Sequence, residues 1–297
     1  MLTNTKVRIS VVIATTAERK RAESIDIAIN SVIAQQGCNF DLLVVINGSI
    51  FDNNVRKSIE NNKRVQCYYL LEGSFPKALA YARSIIKTDY FCFLDDDDEL
   101  LPSSLYARFS TLENNPGMDV VIGNGIKKQS DLAWQIHPEI MSYQDDSLAA
   151  LFKNNGNWLA SCAGMFRTKT IPQQYFDDYA VYAEWSYIAF KLAVFNKVIF
   201  INTLCYSINV STVSLSHNEA YLFGQYNMTK KVLALPLPKW AKKLLLIKVC
   251  DTEHAIAERH LKNNQRARAW LFHFKSLNQT KTFFKYIMFT RYLIFKK

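Results

Sequence analysis

The sequence lacks any stretch of about 18 consecutive apolar residues, so it predicts no helix that spans a bilayer. Near its amino terminus it also lacks the apolar core of roughly 7–15 residues that a secretory leader carries. A first β-rich run, Val7–Ile13, follows almost at once. We therefore expect a cytoplasmic location.

The six cysteines include no Cys-x-x-Cys pair, the spacing typical of zinc and redox sites. They lie far apart and mostly in apolar surroundings, at Cys38, Cys67, Cys92, Cys162, Cys205 and Cys250. We expect them to be reduced residues of the core. Internal repeats and low-complexity segments are absent too, which leaves repeat architectures without support.

Positive charge is unevenly distributed along the 297 residues. Of the 36 Lys and Arg residues, 16 lie between Lys230 and Lys297, where only Asp251, Glu253 and Glu258 are acidic, giving a local charge of +13. The rest of the chain has 20 basic and 23 acidic residues, a balance of −3. Basicity is therefore a property of the carboxyl-terminal part. The 49% hydrophobic content predicts a globular protein with a large core.

The first hundred residues alternate β-rich runs with helical patterns. Strands are predicted at Val7–Ile13, Asp41–Ile46, Val65–Leu70 and Tyr90–Leu94. Apolar residues recur at helical spacing between them, and Pro102 fits the start of a further helix that ends near Asn114. This order predicts a mostly parallel sheet with right-handed crossovers. The part from Met118 to about His217 has a mixed pattern and fits a region that shapes an acceptor pocket.

Four consecutive carboxylates, the acidic segment Asp95–Asp98, follow directly on the predicted buried strand Tyr90–Leu94. Like charges this close repel strongly, so an ionised cluster requires a divalent cation, basic partners or bulk water. A solvated turn is the alternative, because runs of charge usually face water. Ligands of open α/β sheets bind at the carboxyl ends of strands, however, and the acidic segment occupies such an end.

Five segments in the first half of the chain share their order and spacing with a known family. They are Val11–Thr16, Ser31–Gln36, Leu43–Ser49, Ala82–Arg83 and Phe93–Pro102. Together they resemble the opening strand, first helix, second strand, Ala-Arg pair and metal-binding segment of family 2 glycosyltransferases of the GT-A fold.

A weaker similarity follows in the second half of the chain. The family often has Phe-Asp-Glu and, after a short gap, Glu-Asp-Trp on the helix that carries the catalytic base. Here Phe176–Asp178 and Ala183–Trp185 stand at that spacing. Glu184 takes the place of the Asp, with one methylene more, and Ala183 takes the place of the preceding Glu. A helix with a single solvated Glu is the alternative interpretation.

The resemblance implies an α/β fold of the GT-A class, the Rossmann-like nucleotide-diphospho-sugar transferase fold, in which helices flank a mixed sheet. We expect residues 1–229 to form the catalytic domain, with a nucleotide-sugar-binding half at 1–117 and an acceptor-binding half at 118–229. Residues 230–297 are expected to form a basic helical extension.

The resemblance also implies inverting sugar transfer with Mn²⁺ or Mg²⁺ as cofactor. Such a reaction needs a general base for the acceptor hydroxyl, and Glu184 is the candidate. It also needs positive charge on the departing diphosphate, which a divalent ion supplies. These hard cations prefer oxygen ligands, as the acidic segment offers.

The aspartates can form an Asp-x-Asp pair in two ways, as Asp95 with Asp97 or as Asp96 with Asp98. The Leu-Asp-x-Asp-Asp pattern of the family selects the first pair, and residues two apart on an extended segment face the same way. We place Asp97 on the metal with Asp95 beside it, and Asp95 or Asp96 near the ribose. Asp98 is expected either behind these ligands or facing solvent.

Further donor contacts are implied by the same resemblance. Thr15 and Thr16 follow the first strand, where backbone and hydroxyl groups meet the nucleotide, although a plain ST-turn is the alternative. Asn47 stands where the family usually has Asp against the uracil ring. Arg83 is a candidate for the nucleotide or diphosphate, with an exposed helix cation as the alternative. His217 is a candidate metal or diphosphate contact, although a lone His is more often structural.

The basic carboxyl-terminal part permits two functional interpretations. Nucleic-acid binding normally comes with a recognisable reading element, and none is evident, so no nucleic-acid partner is expected. Bulky apolar residues mixed with Lys and Arg in Lys281–Lys297 fit an anionic membrane surface better. Helices that only pack on the catalytic domain are the alternative. The membrane interpretation predicts a peripheral protein on the inner face of the cytoplasmic membrane.

These observations lead to one expected function and two alternatives. We expect transfer of a sugar from a nucleotide-sugar, by the family pattern a UDP-sugar, to a glycan or lipid-linked acceptor in the biosynthesis of polysaccharide, lipopolysaccharide or capsule. A metal-dependent nucleotidyltransferase would use similar carboxylates but would need no base at Glu184. A catalytically silent membrane-surface scaffold of the same fold is kept open by Asn47 and Ala183.

Overall fold

The computed structural model of the protein describes residues 8–129, 132–153, 156–209 and 219–295. The chain divides into two compact units. The first contains the described residues up to Tyr179 and from Glu184 to Asn209, and the second contains Ala180–Ala183 and the described residues from Glu219 onward.

The first unit is built on one mixed sheet. Its strands are β1 (Ile9–Thr15), β2 (Phe40–Asn47), β3 (Val65–Leu70), β4 (Tyr90–Asp95), β5 (Asp98–Leu100), β6 (Val120–Gln129), β7 (Leu132–Gln135), β8 (Gly164–Arg167) and β9 (Val198–Asn209). Their order across the sheet is β3-β2-β1-β4-β8-β6-β9-β5, and β7 pairs with β6. The first four strands are parallel to one another, whereas β8 runs antiparallel to β4.

Helices of the first unit connect these strands. They are α1 (Ala22–Ile33), α2 (Asn53–Asn61), α3 (Phe75–Ile85), α4 (Ser104–Asn114), α5 (Ser147–Ala150), α6 (Gln174–Asp177) and α7 (Glu184–Phe195). A short 3-10 segment, the basic turn Arg19–Arg21, precedes α1. The amphipathic spacing of α1 buries Ile25, Ala28, Ile29 and Val32 against the sheet side of the core.

The centre of the sheet explains why its strands are recognisable in the sequence. Every residue of β1 is buried, and β1 pairs in parallel with β2 on one side and β4 on the other. Strands covered on both faces become continuous apolar runs rather than alternating ones. The predicted α/β sheet with flanking helices is therefore confirmed.

All six cysteines are free, and four of them are buried.

Strand β5, one of the strands that the sequence did not predict, begins at Asp98, the last residue of the acidic segment. Strand β5 has only three residues and pairs antiparallel with β9, with Asp98 opposite Ile208 and Leu100 opposite Tyr206. Its partner is more than a hundred residues away in the sequence, and its own residues are mostly charged. Local hydrophobic pattern therefore contains no sign of it.

The second unit is helical. Its helices are α8 (Glu219–Leu233), α9 (Lys239–Lys262), α10 (Arg266–Ser276), α11 (Thr280–Tyr286) and α12 (Thr290–Phe295). The buried side chains of Tyr226, Val249 and Ile256 form one of its apolar clusters. The predicted boundary at 229/230 falls inside α8. It was placed where the basic residues begin, at Lys230, but earlier turns of the same helix already pack in this apolar cluster. Within the described ranges, no helix is both long and apolar enough to cross a membrane.

Candidate active site

The carboxyl ends of β1 and β4 lie side by side in the sheet. The two strands pair in parallel, with Ala14 opposite Asp95. Parallel strands in register end at the same edge of a sheet, which is where ligands of α/β proteins bind. The pairing therefore brings the residues that follow β1 together with the acidic segment that follows β4.

Three aspartates of the acidic segment converge. Asp95, Asp97 and Asp98 each offer a carboxylate oxygen, and these oxygens all lie within 4.8 Å of one another. Burial raises the pKa of Asp95 and of Asp98, and the neighbouring carboxylates raise both further. A cation among them would stabilise the ionised forms, and carboxylate oxygens are preferred ligands of Mg²⁺ and Mn²⁺. These residues therefore fit a hard divalent ion.

Asp98 lies deeper than the sequence indicated. It belongs to β5, and it is only 5% exposed. The Cys162 thiol donates a weak hydrogen bond to its Oδ2 atom over 3.6 Å. The solvent-facing alternative is therefore wrong for Asp98, because pairing of β5 with β9 places this side chain inside the protein. Its oxygen makes it a third candidate ligand beside Asp95 and Asp97.

Asp96 is hydrogen-bonded to the turn that follows β1. The Thr15 hydroxyl donates to Oδ2 of Asp96 over 2.6 Å and accepts from the backbone N–H of Ala17 over 3.0 Å. Ala17 has a φ of +50°, a left-handed conformation that is uncommon for residues other than glycine. This turn fixes the hydroxyl of Thr15 on Asp96. Burial raises the pKa of Asp96, and the hydrogen bond from Thr15 opposes that shift.

A basic residue that sequence reasoning missed also lies at the acidic segment. Arg21, in the basic turn, places its Nη1 atom 2.6 Å from Oδ2 of Asp97 and 3.2 Å from Oδ1 of Asp96. The run of three basic residues, Arg19–Arg21, shortly after the end of β1 was the available signal. Its distance from the acidic segment along the chain concealed the contact.

Two other predicted donor residues lie near the end of β1. Asn47, at the end of β2, donates from Nδ2 to the carbonyl oxygen of Thr15 over 3.0 Å and is buried. Thr16 donates from its hydroxyl to Glu18 over 3.1 Å and is half-buried. The structure therefore brings Asn47 and Thr15 into contact. Their roles toward a nucleotide stay predictions.

Arg83 is engaged away from the acidic segment. Its Nη2 atom donates to the carbonyl oxygens of Thr168, over 3.0 Å, and Ile171, over 2.7 Å. The guanidinium also lies 5.0 Å from the centre of the Phe91 ring, and burial lowers its pKa. These contacts attach α3 to the turn after β8, so its assignment to the donor stays a prediction. His217 lies outside the described residues.

The helix that begins at Glu184 packs on the strand that leads to the acidic segment. The ring of Trp185, the next residue, lies 5.3 Å from the ring of Phe93 on β4. The ring of Phe176 lies 5.5 Å from the same Phe93. Because Phe93 stands two residues before Asp95, this aromatic cluster attaches the first turn of α7 to the end of β4. A carboxylate at that turn also benefits from the helix dipole.

Asp178 of the same motif anchors α7 further along. The Tyr187 hydroxyl donates to Oδ2 of Asp178 over 2.8 Å, and the Lys191 ammonium lies 3.1 Å from that oxygen. Lys191 is 5% exposed, so its charge needs such a partner. The two motif segments therefore act together in positioning α7.

Comparison with known sequences settles the family. Residues 10–173, more than half of the chain, match the family described as Glycosyl transferase family 2. The chain belongs to this family. An uncharacterized glycosyltransferase of Rickettsia conorii is 24% identical to it over 160 residues, which are 53% of this chain and 26% of that protein. The aligned part is thus about a quarter of the relative's length.

Solved structures share the fold of this family 2 chain. The crystal structure of S. aureus TarS 1–349 in complex with UDP-GlcNAc aligns with a TM-score of 0.62 at 14% identity, over 84% of this chain and 73% of that chain. The complex of the same protein with UDP aligns with a TM-score of 0.57 at 15% identity, over 86% of this chain and 72% of that chain. The predicted α/β fold of the GT-A class is therefore confirmed.

Proposed function

We propose that the protein transfers a sugar, with inversion, from a UDP-sugar to a glycan or lipid-linked acceptor, with Mn²⁺ or Mg²⁺ at the acidic segment. The observation that carries this proposal is the convergence of Asp95, Asp97 and Asp98 at the carboxyl end of β4. Membership of family 2 supports glycosyl transfer. TarS, which shares the fold, has been crystallised with UDP-GlcNAc.

The donor half of the proposed site uses the ends of β1, β2 and β4. A bound metal ion would supply positive charge to the departing diphosphate. Asp97, with Asp95 and Asp98, would hold that ion through carboxylate oxygens. Asp96, fixed by Thr15, can accept hydrogen bonds from ribose hydroxyls. Asn47 both donates and accepts, so it suits the edge of a pyrimidine ring.

The acceptor half is assigned to α7. Glu184 stands in its first turn and is the candidate base that removes the proton of the acceptor hydroxyl as the anomeric carbon is attacked. The aromatic contact of Trp185 with Phe93 supports this assignment, since it attaches that turn to the strand of the acidic segment. The carboxylate and the metal ligands thus belong to one unit.

A nucleotide-sugar panel tests the reaction class. Each donor is incubated with the protein, Mn²⁺ or Mg²⁺ and crude glycolipid acceptor, and released nucleoside diphosphate is measured with and without EDTA. We expect UDP release that needs both metal and acceptor. Release of pyrophosphate would favour nucleotidyl transfer instead. Absence of any product from every donor would defeat both enzyme proposals and leave the scaffold.

The surface of the second unit is an argument for a membrane-bound acceptor. Large apolar side chains face solvent along its last two helices, including Phe284 at 74% and Phe295 at 78% exposure. Basic residues alternate with them, among them Lys281, Lys285 and Arg291. Apolar insertion together with cation attraction is the usual means of binding an anionic bilayer surface. We therefore propose a peripheral location on the inner face of the cytoplasmic membrane, with acceptors of polysaccharide, lipopolysaccharide or capsule biosynthesis.

A further inference from the structure

Arg21 neutralises part of the acidic segment in this structure. Its Nη1 atom contacts Asp97 over 2.6 Å and Asp96 over 3.2 Å. Burial opposes ionisation of the guanidinium, but the two carboxylates outweigh that effect and raise the pKa of Arg21. A positive charge therefore lies against Asp97, the aspartate that we assign to the metal.

A divalent ion on Asp97 would meet this charge at close range. Two cations that share one carboxylate are separated by roughly 5 Å, where their repulsion is large even at an effective dielectric constant near 20. Arg21 therefore opposes metal binding when the donor is absent. The Arg21 side chain is 35% exposed, which leaves it room to turn away from Asp97.

A diphosphate reverses this balance of charge. It adds several negative charges beside the metal, and a guanidinium matches phosphate oxygens with paired N–H donors. The backbone of the basic turn stays in place, since the N–H of Arg21 donates to the carbonyl oxygen of Glu18 over 2.8 Å and Ser24 donates to the Arg21 carbonyl over 3.2 Å. Only the side chain has to move.

We propose that Arg21 couples metal binding to donor binding. In the free enzyme it stands in for the metal on Asp97, and it turns to the diphosphate when metal and donor bind together. This inference rests on the proposed use of a UDP-sugar. By linkage, Mn²⁺ tightens UDP binding by the same factor as UDP tightens Mn²⁺ binding, and Arg21 enlarges that factor.

Isothermal titration of the full chain measures each step. Mn²⁺ is titrated into the protein alone, and UDP is titrated with saturating Mn²⁺ and again with EDTA. Arg21→Gln should bind Mn²⁺ alone at least about fivefold more tightly than wild type, and the coupling factor should fall by a similar amount. Arg21→Lys keeps the charge but loses the paired donors. Its Mn²⁺ affinity and its coupling factor should therefore lie between those of wild type and Arg21→Gln.

The neighbouring Arg19→Gln is the matched control. It removes the same charge from the same turn, and among the described residues Asp96 and Asp97 form their ion pairs with Arg21 and not with Arg19. It should bind Mn²⁺ and UDP as wild type does. Damage to the fold would weaken Mn²⁺ binding, so the tighter binding expected for Arg21→Gln cannot arise from misfolding.

Two results would overturn the proposal. Mn²⁺ binding by Arg21→Gln that is equal to or weaker than wild type would make Arg21 a support of the metal ligands instead. UDP binding that needs no Mn²⁺ but is lost in Arg21→Gln would make the guanidinium a replacement for the metal. Failure of the proposed function has a different signature, because wild type itself would then bind no UDP under any condition.

Discussion

The two units of this chain hold their charged residues in opposite ways. In the first unit, acidic side chains are buried together at the end of one strand, with Asp96 and Asp98 both less than a tenth exposed. In the second, basic side chains stand among exposed rings such as Phe284 and Phe295. Buried carboxylates select one ion with a defined geometry, whereas an exposed mixed surface adapts to many lipid headgroups. Substitutions should therefore separate chemistry from membrane binding.

The largest effect is expected for Asp97→Ala. Removing this carboxylate takes away a proposed metal ligand, and metal assistance is worth several kcal/mol, so turnover should fall by about 10²- to 10⁴-fold. Sugar transfer and Mn²⁺ affinity are the measurements. Glu99→Ala, which removes a neighbouring carboxylate that pairs with Lys128 over 3.6 Å, should keep most activity. Equal losses in the two variants would refute the assignment of Asp97.

Glu184→Gln should affect the reaction without affecting the donor. A general base typically contributes 10²- to 10⁴-fold, so we expect a loss of about 10³-fold in transfer with unchanged affinity for UDP and Mn²⁺. Asp177→Asn is the control, because Asp177 is an exposed carboxylate of the same motif region that accepts from Gln173. Transfer by Glu184→Gln at the wild-type rate would remove Glu184 from the mechanism.

Substitutions on the surface of the second unit should weaken membrane binding and leave turnover unchanged. The double variant Phe284→Ser/Phe295→Ser removes two exposed rings, and insertion of even part of each ring contributes enough that binding to anionic vesicles should weaken about tenfold or more. Turnover with a soluble acceptor should not change. Leu132→Ser, at a 70% exposed position of the first unit, is the control for loss of a surface apolar residue. Unchanged vesicle flotation of the double variant would leave the second unit without a membrane role.

Deleting the last two helices would be a poorer test than these point variants. Leu293 of α12 is buried in a cluster with Leu261 and Ala269, and the Tyr286 hydroxyl donates to Asp251 of α9 over 2.6 Å. Truncation at residue 281 would expose that cluster. Loss of vesicle binding would then have a structural cause as well.

The sequence could predict the elements that leave a local pattern in it. Strand β3 was predicted with both ends correct, and β2 to within a residue at each end, because both are short β-rich runs bounded by polar residues. The acidic segment was recognisable for the same reason, since it interrupts such a run. Family resemblance then pointed to the ends of β1 and β2 and to α7.

Long-range contacts were the part that could not be predicted. Asp98 is buried only because β5 pairs with β9, and Arg21 reaches Asp97 only because β1 and β4 are neighbours. Neither fact leaves a periodic pattern near the residue concerned. The domain boundary at 229/230 stays a prediction; it was placed at Lys230, where the charge begins, and this residue lies within α8, whose Leu222 and Tyr226 pack in the second unit.

Removal of metal should make stability depend on pH. Burial, followed by the charges of neighbouring carboxylates, raises the pKa of Asp95 to about 7 and that of Asp98 to about 8. The protonated carboxyls therefore contribute stability that is complete below the unfolded carboxyl pKa of about 4 and is lost as the pH rises through these folded values. The protein in EDTA should melt at a lower temperature at a pH of about 8.5 than at about 6.

Two further measurements identify the groups responsible for this dependence of stability on pH. Mn²⁺ should restore the melting temperature at the higher pH, because it stabilises the ionised carboxylates. Asp98→Asn keeps the shape of the side chain without its charge. In EDTA its melting temperature should therefore depend less on pH than that of wild type. A wild-type protein that melts at the same temperature across this range would contradict the raised pKa of both groups.

The smallest effect is expected at Ala17, which shapes the turn between Thr15 and the basic turn. Its φ of +50° costs an alanine about 1 kcal/mol, and glycine would relieve that strain while adding a similar entropy to the unfolded chain. Ala17→Gly should therefore change the free energy of unfolding by less than about 1 kcal/mol. Ala17→Val should be clearly worse, because a β-branched side chain fits neither this conformation nor the fully buried position. Chemical denaturation of the two variants measures the difference, and a valine variant as stable as the glycine variant would show that the left-handed turn does not constrain Thr15.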